Sequence, residues 1–134
     1  MNKKNTKKLF KKYPKLFAGK DEPIDQNLMS LGFDCGDGWY GIIDALAQEL
    51  TANKSIDIRA FQVKEKWGGL RFYVNSATDE QFAMIDLAEA FSYRVCEACG
   101  KPGKLRQGGW IVTLCEECNG KRKQAKADEQ KEIR

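Results

Sequence analysis

Two Cys-x-x-Cys pairs constrain the fold of this chain more than any other feature of its sequence. Cys96 and Cys99 form the first pair, Cys115 and Cys118 form the second, and fifteen residues separate the two pairs. This spacing is typical of a zinc ribbon, in which four thiolates surround one Zn²⁺ ion as a closed tetrahedron. Because a closed tetrahedron leaves no position for water or substrate, the spacing predicts a metal that stabilises the fold and runs no reaction.

Disulfide bonds and a redox Cys-x-x-Cys motif are the other interpretations of paired cysteines. Residues 1–12 lack the apolar run of a secretory signal, and no stretch approaches the roughly 20 apolar residues that a membrane span needs. We therefore expect a soluble cytoplasmic protein without a membrane partner, where disulfides are rare. Two pairs at this spacing also exceed what one redox motif requires. We expect the fifth cysteine, Cys35, to be unpaired and to fill a small apolar space.

The length of 134 residues predicts a single domain with one hydrophobic core. Its expected parts are a basic N-terminal helix (1–20), an α+β body (21–95), the zinc ribbon (96–118) and a polar C-terminal tail (119–134). The tail is rich in Lys, Gln, Ala and Glu, which predicts a polar helix that frays toward its end.

The net charge of +4 is unevenly distributed along the chain. Residues 1–20 carry eight lysines and no acid, residues 21–120 carry nine basic and sixteen acidic side chains, and residues 121–134 carry six basic and three acidic ones. A protein that grips a nucleic-acid duplex normally presents a basic face on its folded body. Because the body of this chain is acidic, the composition indicates no such face.

Apolar spacing predicts two helices in the first half of the chain. Residues 5–12 combine lysines with a few apolar side chains, which predicts a short basic amphipathic helix that packs on the body. A second helix is predicted from Trp39 to Leu50, because its apolar residues recur at offsets of 3, 4, 7, 8 and 11. Asp37 is the expected N-cap of this second helix, since its carboxylate can accept the free amides of the first turn.

A third helix is predicted from Asp79 to Val95. Thr78 and Gln81 match a capping box at its start, in which each side chain accepts a hydrogen bond from the other residue's backbone amide. The residues expected to face the core are Phe82, Ile85, Leu87 or Ala88, Phe91 and Val95. The last turn runs directly into Cys96, so we expect the zinc ribbon to be integrated with the body.

A β-hairpin is predicted between the second and third helices. Its strands are Ile56–Lys66 and Leu70–Asn75, and Trp67 with two following glycines forms the turn between them, where positive φ angles are required. Side chains alternate between the two faces of such a strand pair. The apolar face is expected to include Phe61 and Val63.

The opposite face of the hairpin is the candidate ligand site, because basic and aromatic side chains are densest there within the acidic body. The candidate ligand-binding residues are Lys64, Lys66, Trp67, Arg71 and Tyr73. An Arg with two Lys can hold a phosphate, and an aromatic ring can stack on a base. The alternative is purely structural: Trp67 caps the core, the charges are solvated, and Glu65 forms ion pairs across the strands.

These elements together predict an α+β fold. It consists of two core helices and a central β-hairpin with an integrated C-terminal zinc ribbon, and removal of the metal is expected to cost much of the stability.

Three segments resemble a family of small bacteriophage and prophage proteins with a C-terminal four-cysteine zinc ribbon. They are Cys35–Asp44, Gln62–Val74 and Cys96–Gly100, within a resemblance that covers about residues 30–120. Relatives often have His where this chain has Cys118, and either residue can bind zinc. The resemblance implies no activity, but it implies an accessory protein in the cytoplasm of a bacterial host that acts on nucleic acid, a nucleotide or a host protein.

Catalysis is the least supported class of function. The chain contains no His, the side chain that exchanges protons most readily near neutral pH, and the predicted metal site is closed. We therefore expect a non-enzymatic binding protein for a phosphate-bearing ligand, either nucleic acid or a nucleotide. The alternative is an anti-defence protein that sequesters a nucleotide immune signal or inhibits a host protein by direct contact. The sequence leaves the oligomeric state open.

Overall fold

The computed structural model describes residues 1–133, which form an α+β fold with a central three-stranded sheet and a separate two-stranded sheet. The helices are α1 Lys3–Lys12, α2 Tyr40–Leu50, α3 Asp79–Ser92 and α4 Glu116–Ile133, with short 3₁₀ turns at Ala18–Asp21, Leu28–Leu31 and Asp37–Trp39. The strands are β1 Phe33–Asp34, β2 Ala60–Lys66, β3 Gly69–Val74, β4 Lys104–Arg106 and β5 Val112–Leu114. The predicted fold class is confirmed, and the four cysteines cluster at the end of α3 and around β5.

The central sheet has the order β1-β2-β3, with β1 parallel and β3 antiparallel to β2. The predicted hairpin is present, but β2 begins at Ala60 and contains a bulge between Ala60 and Gln62. The bulge places Ala60 in the core opposite Val74 and leaves Phe61 exposed. The expectation that Phe61 joins the apolar face is therefore wrong, because the extra residue shifts the alternation by one.

The basic helix α1 packs on the body through its apolar side, as its pattern predicts. Leu9 is fully buried, and the Phe10 ring lies 5.4 Å from that of Phe33 on β1. Tyr13 and Lys12, at the end of α1, both donate hydrogen bonds to the carboxylate of Asp44 on α2, at 2.6 and 2.9 Å. The apolar contacts and these polar bonds together fix α1 against α2.

The predicted capping box begins α3. Thr78 Oγ1 accepts from the amide of Gln81 at 3.2 Å, and Gln81 Oε1 accepts from the amide of Thr78 at 2.9 Å. The helix ends at Ser92, three residues earlier than the spacing predicts, because tight turns from Phe91 and Ser92 lead into the first Cys-x-x-Cys pair. The expected inward face is only partly correct: Ala88 is buried, whereas Phe82, Leu87 and Phe91 are exposed.

The polar C-terminal helix α4 begins at Glu116, earlier than the predicted tail at 119, and so includes Cys118 in its first turn. None of the helices described in residues 1–133 combines the length and the apolar character needed to cross a membrane. Almost all of α4 beyond Asn119 is exposed.

Candidate metal centre

The four paired cysteines converge on one point. Their Sγ atoms all lie within 4.8 Å of one another, and Cys99 Sγ lies 3.7 Å from Cys115 Sγ. Zn–S bonds of about 2.3 Å in a tetrahedron place the sulfurs about 3.8 Å apart. Residues 1–133 include all five cysteines, and none of them is in a disulfide. The sulfur positions therefore fit a tetrathiolate metal site.

The first pair lies in a tight turn directly after α3. The amide of Cys96 donates to the carbonyl of Lys101 at 2.7 Å, and the amide of Gly100 donates to the carbonyl of Cys96 at 2.9 Å. Gly100 has a φ of 83°, a conformation that residues with a Cβ atom rarely adopt. The glycine behind the pair thus closes the turn that directs both sulfurs to the same side.

The second pair joins β5 to α4. Cys115 follows the last residue of β5, and its Sγ accepts a hydrogen bond from the amide of Cys118 at 3.4 Å. The amide of Asn119 donates to the carbonyl of Cys115 at 3.0 Å, which begins the hydrogen-bonding of α4. The helix start therefore holds Cys118 beside Cys115.

The ionisation of these thiols depends strongly on their surroundings. Burial raises the pKa of Cys96, but backbone amides of Cys115, Cys99 and Ala98 donate to its sulfur and together lower that pKa to about 7. The neighbouring thiol of Cys115 and partial burial raise the pKa of Cys118 to about 12. One sulfur of the cluster is therefore ready to ionise near neutral pH, whereas four adjacent thiolates need a cation among them.

The first turn is bonded to the segment that precedes α2. The carbonyl of Glu97 accepts from the amide of Gly38 at 2.7 Å, and the carboxylate of Glu97 accepts from the amide of Gly36 at 2.8 Å. The indole of Trp39, which is fully buried, donates to the carbonyl of Val95 at 2.9 Å. Burial raises the pKa of the Glu97 carboxyl, and the bond from Gly36 opposes that effect. The cysteine cluster is thereby part of the folded body.

Asp37 does not cap α2, contrary to the sequence-based expectation. Its Oδ1 accepts hydrogen bonds from the amide of Asn2 at 2.9 Å and from the side chain of Asn5 at 3.1 Å. A 3₁₀ turn over Asp37–Trp39 precedes α2 and directs the carboxylate toward the start of α1. Asp37 therefore fixes the N-terminal helix and leaves α2 without a side-chain cap.

The small ribbon sheet packs on the turn of the hairpin. Thr113 Oγ1, fully buried on β5, donates to the carbonyl of Gly68 at 2.6 Å. Leu105 and Ile111 also lie against Gly68, where a side chain would overlap Leu105. The amide of Gly68 donates to the carboxylate of Glu65 at 2.8 Å, so this acid closes the turn and forms none of the expected cross-strand ion pairs among the described residues. The cysteine cluster thus supports the turn through β5.

Trp67 is the first of two central residues of this turn and is 65% exposed. Its φ is 55° and that of Gly68 is 82°, so both residues have the left-handed backbone that a tight hairpin turn requires. The alternative in which Trp67 caps the core is wrong, because the turn directs its indole away from the core.

The other four candidate ligand residues lie on one face of the hairpin, as the alternation predicts. Lys64 is paired in register with Arg71, and Lys66 and Tyr73 are exposed along the same face. Arg71 forms an ion pair with Glu89 of α3 and donates to the hydroxyl of Tyr93 at 3.2 Å.

Lys64 also has an acidic neighbour, since Asp34 of β1 is its partner in register on the other side. Of the three strand cations, Arg71 is therefore committed to Glu89, Lys64 lies beside a carboxylate, and Lys66 is exposed. None of the five candidate residues lines either of two surface cavities found among residues 1–133.

The contact between the two sheets brings a second tryptophan to this end of the molecule. Trp110 is 71% exposed and directly precedes Ile111, which packs on Gly68 next to Trp67. Arg122 of α4 donates to the carbonyl of Trp110 at 2.7 Å. Trp110 was not among the predicted ligand residues. The sequence contains a Trp-Gly-Gly run at 67–69 and a Gly-Gly-Trp run at 108–110, but it does not show that both tryptophans lie at the same end of the molecule.

Comparison of the chain with protein-family models, with curated proteins and with solved structures finds no match in any of the three. The fold and the cysteine cluster define its class: a small α+β protein with a candidate tetrathiolate metal site. The relation to bacteriophage proteins stays a prediction. Functional inference therefore depends on the geometry of the cysteine cluster and of the hairpin surface beside it.

Proposed function

We propose that the chain is a non-catalytic, zinc-stabilised binding protein that holds a phosphate-bearing ligand, a single nucleic-acid strand, at the tip of its hairpin. Cys96, Cys99, Cys115 and Cys118 would bind the ion, and no position would remain for water or substrate. The ion would hold β5 in place, and β5 holds the hairpin turn through Thr113. In this proposal the metal shapes the binding surface and does not contact the ligand.

The observation that carries the proposal is the backbone and exposure of Trp67. A residue other than glycine with a φ of 55° costs on the order of 1 kcal/mol, and Asn, Asp or Gly is favoured at this turn position. An indole that is 65% exposed leaves most of its ring surface in contact with solvent. The turn therefore does not require a tryptophan, and most of the ring is accessible to a ligand. Stacking of a base on an exposed aromatic ring is worth about 1–3 kcal/mol, which gives the side chain a role.

The exposure of two aromatic rings favours a strand over a small enclosed ligand. Trp67 and Trp110 offer two stacking rings at one end of the molecule, and Lys66 supplies a cation beside them. Backbone phosphates further along a strand could reach the lysines of α4, which are exposed. Stacking with few fixed phosphate contacts predicts weak sequence preference.

The test uses zinc-loaded protein, one equivalent per chain by elemental analysis, and fluorescein-labelled dT₂₀ and rU₂₀ in anisotropy titrations. The variant Trp67→Asn keeps a residue suited to the turn, so the fold should persist while stacking is lost. We expect about fivefold weaker binding or more, and an affinity that falls steeply with salt. Phe82→Gln, an exposed aromatic residue on α3, is the matched control and should leave affinity unchanged. Absence of binding at low salt, or equal affinities for Trp67→Asn and the parent, would exclude a nucleic-acid strand as the ligand of the hairpin tip.

A second candidate function is capture of a small phosphorylated ligand, as in sequestration of a nucleotide immune signal. A cleft of about 760 Å³ is lined by Lys12, Lys15, Lys54 and Arg59, beside a single lining carboxylate, Asp57. It lies away from the hairpin face where the sequence located such a pocket. Isothermal titration with pyrophosphate, ATP and a cyclic dinucleotide tests this function, with Lys15→Gln/Lys54→Gln expected to remove any heat. No heat from any of the three compounds would reject it.

A further inference from the structure

An apolar groove of about 420 Å³ lies between α2 and α3. Its walls include Ile42, Leu46, Met84, Leu87 and Phe91, and its single charged lining residue is Glu49. Phe91 and Leu87 are 53% and 70% exposed, although long apolar side chains of a helix usually turn toward a core. The inner side of α3 is formed by smaller or polar residues such as Ala88 and Ser92. The groove is therefore an apolar face that the chain itself does not cover.

The two helices that form this groove carry charges of one sign only. Neither α2 nor α3 contains a Lys or Arg, whereas the two helices together carry the six acids Asp44, Glu49, Asp79, Glu80, Asp86 and Glu89. Asp44 and Glu89 are neutralised by Lys12 and Arg71. Of the other four acids, Glu49 lines the groove and Glu80 lies one helical turn before Met84 on the same face of α3, and neither helix carries a cation, so the groove complements a partner that is apolar along one stripe and basic beside it.

The other side of α2 already binds a helix of this kind. The basic amphipathic helix α1 places Leu9 in the core, and its last turn pairs Lys12 with Asp44 at 2.9 Å. An apolar stripe with a lysine against a carboxylate of α2 is thus an arrangement that this protein uses within its own fold. The groove on the opposite side offers apolar walls with Glu49 at its edge.

We infer that the groove between α2 and α3 binds a basic amphipathic helix of a partner protein. Apolar anchors at positions i, i+3, i+4 and i+7 of that helix would lie between Leu87, Phe91 and Ile42, with Lys or Arg residues facing the acids. A second copy of this chain fits poorly, because a two-fold contact would bring two acidic faces together. The inference is independent of nucleic-acid binding at the hairpin tip.

The test uses the full zinc-loaded chain and a fluorescein-labelled 18-residue peptide with Leu at the i, i+3, i+4, i+7 positions and Lys elsewhere. A second peptide replaces every Lys by Glu, and a third scrambles the first. We expect saturable binding of the Lys peptide alone. The double variant Leu87→Gln/Phe91→Gln should weaken it about tenfold or more, since two apolar walls are lost. Phe82→Gln, on the same helix but outside the groove, should not change it.

Circular dichroism and the melting temperature establish that each variant is folded. Equal binding of the Lys and Glu peptides, or unchanged affinity of the double variant, would overturn the inference. A dimer in light-scattering chromatography that Leu87→Gln/Phe91→Gln dissolves would also overturn it, because a second copy would then occupy the groove. The Trp67→Asn protein should retain full peptide binding, which separates failure of this inference from failure of the proposed strand site.

Discussion

Replacement of Thr113 by Val tests whether the ribbon holds the hairpin turn. The two side chains have nearly the same shape, and Thr113 is fully buried, so the substitution removes the hydroxyl that donates to the Gly68 carbonyl at 2.6 Å and little else. A buried acceptor left without a donor costs about 1–3 kcal/mol. For a chain of this size each kcal/mol lowers the melting temperature by roughly 4 °C. We therefore expect a fall of about 4–12 °C.

The matched control is Thr6→Val on α1. Thr6 Oγ1 donates to the carbonyl of Asn2 at 2.8 Å, but this bond is exposed, so water replaces it and the expected loss is within about 0.5 kcal/mol. Urea unfolding followed by tryptophan fluorescence, together with calorimetry, measures both variants. In a strong chelator, Thr113→Val and the parent should have nearly equal stabilities, because without the metal β5 no longer holds the turn. A Thr113→Val protein as stable as Thr6→Val would refute the proposed coupling.

Three further outcomes follow from the surroundings of the cysteine cluster. Gly38→Ala should destabilise the protein by about 1–3 kcal/mol or more, because its methyl group would overlap the Cys96 carbonyl oxygen and lie 2.6 Å from the Gly100 amide; a urea midpoint equal to the parent's would contradict this. The bond from the Asn2 amide lowers the pKa of Asp37 below its ordinary value of 3.8, so its stabilising contribution is complete above that value and is lost as pH falls through the native pKa. The stability difference between parent and Asp37→Asn should therefore shrink in acid. Melting temperatures measured over a pH series test this, and a difference that grows as pH falls would contradict the prediction. Burial raises the pKa of Cys35 to about 12, so iodoacetamide at pH 8 should alkylate it only after denaturation, as measured by peptide mass spectrometry.

The features that the sequence predicted correctly depend on residues close together in the chain. The capping box of Thr78 and Gln81 needs only four consecutive residues, and it is present. The position of the hairpin turn follows from the Trp-Gly-Gly run, although only Gly68 of the two glycines has a positive φ and Trp67 supplies the other. The convergence of the four sulfurs is a longer-range feature, but the spacing of two knuckles around a short hairpin restricts it strongly.

The features that the sequence did not predict depend on competition between distant partners. The Asp37 carboxylate could accept a hydrogen bond at the start of either α1 or α2, and in the structure it accepts from the amide of Asn2 at the start of α1. The exposure of Phe91 depends on how α2 lies beside α3, which the periodicity of α3 alone does not specify. The commitment of Arg71 to Glu89 likewise joins strand and helix across a distance that no local pattern spans. A face of mixed basic and aromatic residues can therefore be located from sequence. The sequence does not show which of its basic side chains are already paired with a carboxylate.

The bonds that fix the cysteine cluster to the body join residues far apart in the chain. Gly36 is joined to Glu97 across 61 residues, and Gly68 is joined to Thr113 across 45. During synthesis on the ribosome, the hairpin is therefore complete well before Thr113 and the second cysteine pair emerge from the exit tunnel. We expect the last step of folding to wait for these late residues and for the ion. A cell short of zinc would then accumulate chains whose helices and hairpin have formed but whose turn at Gly68 is open to proteases.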